Sequence, residues 1–133
     1  MLYYLDTNVI LYAVEGQAPF QQRARNHIAI LGAAGHHFGI SETTWTECLV
    51  FPLRTNDGPL LLDYHRFFLG PHLTTVPLTA TIHHRAAMIR AIHNYGLADS
   101  RHLAAAVEHR FDRFLTNDHK LAGYPDLTVE LLP

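Results

Sequence analysis

The hydrophobic positions of this chain form short apolar runs that alternate with longer stretches of mixed character. Runs of three to five residues, rich in branched and aromatic side chains, are typical of buried strands. There are five such runs: Tyr3–Leu5, His37–Ile40, Leu73–Pro77, Arg113–Leu115 and Leu127–Leu131. Between them, apolar residues recur at spacings of three and four, which predicts helices.

The predicted helices are six: Val9–Val14, Phe20–Leu31, one that starts at Ser41, Leu60–Leu69, one from Thr79 to about Asn94, and Asp99–His109. Pro52 is expected to limit the third helix, and Gly96 to end the fifth. A short helical turn is expected after Asp118. The alternation of strands and helices predicts a single α/β domain over residues 1–133, with a central, mostly parallel sheet of about five strands flanked by helices.

Composition narrows the class of protein. The chain is 48% hydrophobic and 17% charged, which suits one domain with a real core. Cys48 is the only cysteine, so no internal disulfide can form and a cytoplasmic location is the expectation. No basic leader precedes the first strand, and no apolar run approaches the ~20 residues of a membrane span. A protein without membrane association is expected.

The formal net charge is -2, with ten basic residues among 133. Such a balance does not provide the bulk positive charge by which many proteins grip nucleic acid. Nine of the basic residues are Arg and one is Lys120, and arginine suits phosphate recognition. A polyanionic substrate would therefore depend on a local arginine cluster, with Arg54 and Arg101 as candidates.

Four acidic residues occupy comparable places relative to the predicted strands. Asp6 follows the first strand directly, and Asp118 lies just after the fourth. Glu47 lies one to two turns into the helix that follows the second strand, and Asp99 opens the helix before the fourth strand. Parallel α/β sheets collect their working residues at the carboxyl ends of the strands. The four acids are therefore expected to line one cleft.

Each acid also has a simpler structural interpretation, because Asp near a helix start often serves as a cap. Glu47 fits that interpretation less well, since it lies at the margin of an apolar face and needs a partner there. Four converging carboxylates repel one another and require protons or cations. Oxygen ligands without clustered Cys or His favour Mg²⁺ or Mn²⁺ over zinc. Such a site can activate water for phosphodiester hydrolysis.

Four segments in order resemble the PIN domain family, and specifically the VapC-type ribonuclease toxins of type II toxin–antitoxin modules. The segments are LDTNVILY at 5–12, ISETTWTECLV at 40–50, LADSRHLAAAVEH at 97–109 and FLTNDHKL at 114–121. They span nearly the whole chain, and none departs from the family pattern at an acidic position. Arg101, next to Asp99, is the less usual residue.

The resemblance implies a Mg²⁺-dependent endoribonuclease, with Mn²⁺ as a substitute ion, that forms a homodimer and is inhibited by a cognate antitoxin. It implies metal-binding and catalytic roles for Asp6, Glu47, Asp99 and Asp118. Supporting contacts around these acids are expected from Thr7, Asn8, Ser41 and Thr116. The sequence predicts neither which RNA is cleaved nor whether one or two metal ions bind.

Several alternatives stay open at this stage. One is a PIN-type nuclease of RNA processing outside any toxin module, and another is a non-catalytic binding module whose acids are helix caps. A phosphotransferase of the haloacid dehalogenase type needs a second aspartate where this chain has Asn8. A receiver-like signalling domain needs a strand-end lysine, and Lys120 instead follows Asp118.

Histidine and aromatic side chains are given structural interpretations. The paired histidines His36–His37 and His83–His84 are expected at the surface or in packing, and His119 is the one histidine to watch, because it adjoins Asp118. The large aromatic residues are expected mostly in the core, with some of them forming a groove for an antitoxin helix. These are Phe20, Trp45, Phe51, Phe67 and Phe68.

Overall fold

A five-stranded sheet forms the centre of the computed structural model, which describes all 133 residues. The strands are β1 (Leu2–Leu5), β2 (His37–Ser41), β3 (Leu73–Val76), β4 (Arg113–Thr116) and β5 (Thr128–Leu131). Their order is β3-β2-β1-β4-β5, and every neighbouring pair is parallel. The predicted α/β class and largely parallel sheet are thus confirmed. All the carboxyl ends of the strands lie along one edge.

Six helices and one short 3-10 helix connect the strands. They are α1 (Thr7–Glu15), α2 (Phe20–Ala33), α3 (Glu42–Arg54), α4 (Gly58–Phe68), α5 (Ala80–His93) and α6 (Leu97–Glu108), with the 3-10 helix at His119–Leu121. Each predicted helix is present, with ends that differ from the prediction by a few residues. Thr79 caps α5 as predicted, because its hydroxyl accepts a hydrogen bond from the Ile82 N–H at 3.3 Å.

Three predicted helix boundaries are wrong. Pro52 does not limit α3 but lies inside it, two residues before its end, where the missing proline N–H removes only one bond of the helical ladder. Asn94, not Gly96, ends α5, and it does so in the left-handed conformation with φ 57°, which asparagine tolerates. Gly96 instead precedes α6. Asp99 is the third residue of α6 rather than the first.

Apolar side chains cover both faces of the sheet. Tyr4 and Phe114 belong to a core layer shared with α5 and α6, whereas Leu5 and Leu115 belong to a layer shared with α1 and α4. Successive residues of β1 and β4 therefore point to opposite faces of the sheet, and helices cover both of these faces. Burial on both sides explains why the central strands β1 and β4 contain consecutive apolar residues in the sequence. None of the helices combines the length and the apolar character needed to cross a membrane.

Candidate active site

Asp6 lies where β1 ends and α1 begins, at the carboxyl edge of the sheet. Its backbone N–H donates to the Leu115 carbonyl at 2.9 Å, which extends the pairing of β1 with β4 by one step. Its Oδ1 accepts from the Thr7 N–H at 2.8 Å and caps α1. Its Oδ2 accepts from the Thr116 hydroxyl at 2.7 Å. The residue is only 2% exposed, so the neighbouring strand holds this carboxylate in place.

Asn8 ties the first strand end to the fourth. Its amide nitrogen donates to Oδ2 of Asp6 at 3.2 Å and to the Thr116 hydroxyl oxygen at 3.3 Å. Its amide oxygen accepts from the Asn117 N–H at 3.0 Å. The Thr116 hydroxyl oxygen also accepts from the Asp118 N–H at 3.0 Å. The loop that carries Asp118 is therefore fixed relative to Asp6.

The three aspartates form one region of negative charge. Burial raises the pKa of Asp99 above its ordinary value, and the charges of Asp6 and Asp118 raise that pKa further. Burial also raises the pKa of Asp6, a rise that the positive charge of His102 and the hydrogen bonds from Thr116 and Thr7 oppose. The charges of Asp6 and Asp118 thus reach Asp99, although the three residues come from three separate segments. Asp118 also caps the 3-10 helix, with Oδ1 accepting from the Lys120 N–H at 3.0 Å.

Glu47 has the partner that its position in α3 requires. Its Oε1 accepts from the Thr7 hydroxyl at 2.8 Å and lies 2.5 Å from Nε2 of His102. The side chain is 34% exposed. Burial alone would raise the pKa of Glu47, but the hydrogen bond to His102 and the charge of that residue lower it below its ordinary value. Glu47 is therefore an ionised carboxylate held at the border of the acidic region.

His102 is the site residue that the sequence interpretation missed. It is 1% exposed, and its Nδ1 lies 2.6 Å from the hydroxyl of Tyr4, which donates to the Ser41 hydroxyl at 2.9 Å. Its Nε2 also lies 3.0 Å from the Thr7 hydroxyl. A histidine protonated on both nitrogens donates to Tyr4 and Glu47 and leaves neither N–H unpaired. Ser41 thus reaches the acids only through Tyr4 and His102.

The charge of His102 follows from its surroundings. Burial disfavours the cation, but interactions with Tyr4, the hydrogen bond to Glu47 and the negative charges of Asp6 and Glu47 raise the pKa of His102 to about 10. One signal for its role was present in the sequence. His102 follows Asp99 by three positions, and residues three apart share one face of a helix.

The side chains at this edge offer the type of ligand atom that a hard divalent cation binds. Carboxylate oxygens are the ligands that Mg²⁺ and Mn²⁺ prefer. The raised pKa of Asp99, caused in part by Asp6 and Asp118, reflects a repulsion that a cation relieves. In the present side-chain conformations, no three His, Cys, Asp or Glu residues are arranged to bind one metal ion. Asp6 already accepts three side-chain or backbone hydrogen bonds, and both contacts of Glu47 fall on Oε1.

Arg101 lies beside this edge, whereas Arg54 does not. Arg101 and Glu47 line the same open pocket of about 290 Å³, together with residues of α3 and the start of α6. The guanidinium lowers the pKa of Glu47 through its charge without forming an ion pair. Arg54 is exposed in the last turn of α3 and lines no part of this pocket.

The remaining histidine and aromatic residues divide between surface and core. His83, His84 and His119 are exposed, and Nδ1 of His36 lies 2.9 Å from the amino terminus. Phe68 is buried at 3% exposure and stacks on Trp45. Two of the five aromatic residues that were expected mostly in the core lie at the surface, since Phe20 is 49% exposed and Phe51 is 54% exposed.

Known proteins resemble the chain in sequence pattern and in fold. A family model described as PIN domain matches residues 3–127. The comparison with curated protein sequences gave no significant match. Among solved structures, VapBC2 from Rickettsia felis bound to a promoter DNA fragment is 19% identical, with a TM-score of 0.82 and 100% of both chains covered.

Two further solved structures are similar. DNA-bound VapBC from Salmonella typhimurium is 17% identical, with a TM-score of 0.77 and 100% of both chains covered. The sarcin-ricin loop cleaving toxin VapC20 of Mycobacterium tuberculosis is 14% identical, with a TM-score of 0.72, and the match covers 94% of this chain and 98% of that one. At these identities the likeness concerns the fold.

Proposed function

Because the chain belongs to the PIN domain family, whose VapC members are nucleases, we propose that it is a divalent-metal-dependent endoribonuclease of the VapC toxin type. One observation carries the proposal. Asp6, Asp99 and Asp118 come from three segments far apart in sequence, yet they share one region of negative charge at the carboxyl edge of the sheet. The pair formed by the buried His102 and the partly exposed Glu47 borders that region.

Nucleases of this family generally use a divalent metal, and we assign Asp6, Asp99 and Asp118 as the residues that would hold Mg²⁺ or Mn²⁺. A bound Mg²⁺ supplies a water of lowered pKa and neutralises charge on the phosphodiester. Glu47, ionised and partly exposed, completes the ligand set or orients the attacking water. His102 and Thr7 keep Glu47 in position, while Asn8 and Thr116 keep Asp6 in position. Such supporting contacts typically matter about 10- to 100-fold in metal affinity or activity.

Capping by itself does not account for this edge. Asp6 and Asp118 do cap a helix and a 3-10 helix. Glu47 caps nothing, and its partner is a fully buried histidine that contacts α3, β1 and α1 together. Burying an ionised histidine is costly unless the histidine is paired and hydrogen-bonded, as His102 is with Glu47 and Tyr4. A pure binding module has no need of that arrangement, which favours the catalytic alternative.

The partner proposal rests on the solved structures. Two of the similar structures, from Rickettsia felis and Salmonella typhimurium, are VapBC complexes, so we propose a cognate antitoxin that covers the acidic edge. A homodimer in the cytoplasm is part of the same proposal. Co-expression with the product of a neighbouring small gene, followed by sedimentation of the toxin alone and of the complex, tests both. Growth that is unaffected by the chain alone would instead favour a PIN nuclease of RNA processing.

The catalytic proposal is tested with total bacterial RNA. The protein is incubated in Mg²⁺ or Mn²⁺, with and without EDTA, and new RNA ends are mapped. Asp99→Asn keeps the shape and removes the charge, and Asp63→Asn, on the exposed side of α4, is the matched control. Discrete ends that require metal, persist in Asp63→Asn and vanish in Asp99→Asn support the proposal. No new ends in any metal would overturn it in favour of a binding role.

A further inference from the structure

Two aromatic rings stack at the border of the acidic edge. Tyr12 lies in α1 and Phe20 is the first residue of α2, with ring centroids 5.6 Å apart and planes 25° apart. Phe20 keeps 49% of its surface exposed although one side of its ring lies against Tyr12. The pair therefore presents an open apolar ring face to solvent.

Hydrogen bonds link Tyr12 of this pair to the loop that carries Asp118. The Asn117 amide nitrogen donates to the Tyr12 hydroxyl at 3.1 Å, and the Asn117 N–H donates to the amide oxygen of Asn8 at 3.0 Å. Asn8 and Tyr12 are four residues apart, so they project from one face of α1. Both the side chain and the backbone of Asn117 are thus hydrogen-bonded to α1, and the next residue is Asp118. The position of the Tyr12 ring relative to Asp118 is therefore fixed, and Phe20 stacks on that ring.

We propose that the Tyr12–Phe20 pair is a stacking platform for a base of single-stranded RNA, next to the phosphate that is cleaved. This inference rests on the proposed ribonuclease function. Every base offers a π-face, and stacking on exposed aromatic rings is a general way to bind single strands. With a net charge of -2, the chain lacks bulk positive charge for the purpose. Stacking supplies affinity that charge does not.

The surroundings of the platform match a nucleotide. Arg23 follows Phe20 by three positions on α2, so it lies on the same side of the helix. It is exposed and forms no ion pair, which leaves its guanidinium available to a phosphate. Stacking on a ring face reads no base edge, so binding on the platform is tolerant of the base identity.

The test uses a short single-stranded oligoribonucleotide that spans a site mapped with the wild-type protein. Four variants of the full chain are compared: Phe20→Ala removes the ring, Phe20→Tyr keeps it, Tyr12→Phe keeps the stack without the hydroxyl, and Ile30→Ala is the control. Ile30 lies on the same helix and is 66% exposed, so its truncation removes similar apolar surface elsewhere. Thermal melts verify folding. Cleavage in Mg²⁺ gives kcat and KM, and 2-aminopurine in the oligomer reports stacking in EDTA.

The platform predicts a loss of binding rather than of chemistry. Phe20→Ala raises KM about fivefold to a hundredfold with little change in kcat and abolishes the quenching of 2-aminopurine. Phe20→Tyr and Ile30→Ala stay close to wild type in KM, whereas Tyr12→Phe, which loses the hydrogen bond to Asn117, raises KM less than Phe20→Ala does. Equal KM values for Phe20→Ala and Ile30→Ala would overturn the platform. A Phe20→Ala variant that cleaves normally but no longer holds a co-expressed antitoxin would also overturn it and assign the rings to a protein partner.

The failure of the platform is distinguishable from failure of the proposed function. A wild-type protein that cleaves RNA in metal, with Phe20→Ala unchanged, removes the platform and leaves the nuclease. A wild-type protein that cleaves no RNA removes the nuclease, and quenching of 2-aminopurine that depends on Phe20 would then be binding without hydrolysis. Absence of both signals overturns both.

Discussion

Nε2 of His102 lies 2.5 Å from Oε1 of Glu47, and this contact joins α6 to α3 across the carboxyl edge of the sheet. His102 is buried, whereas Glu47 reaches toward solvent. One end of the contact is thus rigid and the other faces the acidic region. Because His102 is held by the packing of the core, its contact with Glu47 fixes the position of that carboxylate.

Truncation of His102 should destabilise the protein strongly. His102→Ala leaves the Tyr4 hydroxyl and the Glu47 carboxylate without their shared donor and opens a cavity in the core. Loss of one partner of a buried charged pair typically costs about 3 to 5 kcal/mol, and the partial exposure of Glu47 places the expected cost at the lower end. Urea denaturation followed by circular dichroism measures the change. His119→Ala, at an exposed position, is the control, and a cost no larger than that of His119→Ala would contradict the prediction.

Neutralisation of Asp99 should stabilise the metal-free protein. The pKa of Asp99 is raised in the folded state, so its ionised form is disfavoured there and its charge lowers stability as pH rises through that pKa. Asp99→Asn removes the repulsion with Asp6 and Asp118 and should raise the Tm in EDTA at neutral pH by a few degrees, equivalent to about 1 kcal/mol.

Divalent metal should reverse that order. Mg²⁺ or Mn²⁺ should raise the Tm of the wild-type protein and leave that of Asp99→Asn nearly unchanged, because a ligand stabilises only the state that binds it. Differential scanning calorimetry in EDTA and in millimolar metal covers both conditions. An Asp99→Asn variant that melts below wild type in EDTA would show that Asp99 supports the fold and does not strain it.

Substitution of Arg101 should weaken RNA binding. The guanidinium lines the pocket that Glu47 also lines and has no ion-pair partner within the chain. Arg101→Gln should raise KM and reduce the salt dependence of binding by about one unit of slope, as expected for one lost phosphate contact. Titrations of oligoribonucleotide at several salt concentrations measure the slope. Arg54→Gln is the matched control, and identical slopes for the two variants would remove Arg101 from the binding surface.

Cys48 should be inert in the folded protein. The residue is 1% exposed, and burial together with the charges of Glu47 and Glu15 raises the pKa of its thiol to about 12. The thiolate is the reactive form, so almost none is present at pH 8. A thiol reagent should modify the native protein far more slowly than the urea-unfolded protein, with mass spectrometry as the readout. Modification at equal rates would mean that α3 opens readily from the sheet.

The local order of the fold was predictable from the sequence, because it depends on periodicity. Five apolar runs and six amphipathic stretches are visible without tertiary information, and the structure confirms them within a few residues. The positions of Asp6 and Asp118 were predictable as well, since a residue that follows a parallel strand emerges at the carboxyl edge whatever the strand order. Each of these inferences needed only the residues on either side.

The features that the sequence did not predict depend on which helices and strands pack together. The order β3-β2-β1-β4-β5, the meeting of Glu47 with His102, the exposure of Phe20 and the ending of α5 at Asn94 were not predictable. A histidine in an Ala-rich helix is neutral or charged according to neighbours 55 to 98 residues away in the chain. The local pattern of apolar and polar residues determines the helices and strands. The packing of the whole chain determines which residue pairs with a buried charge and which face of a helix is exposed to solvent.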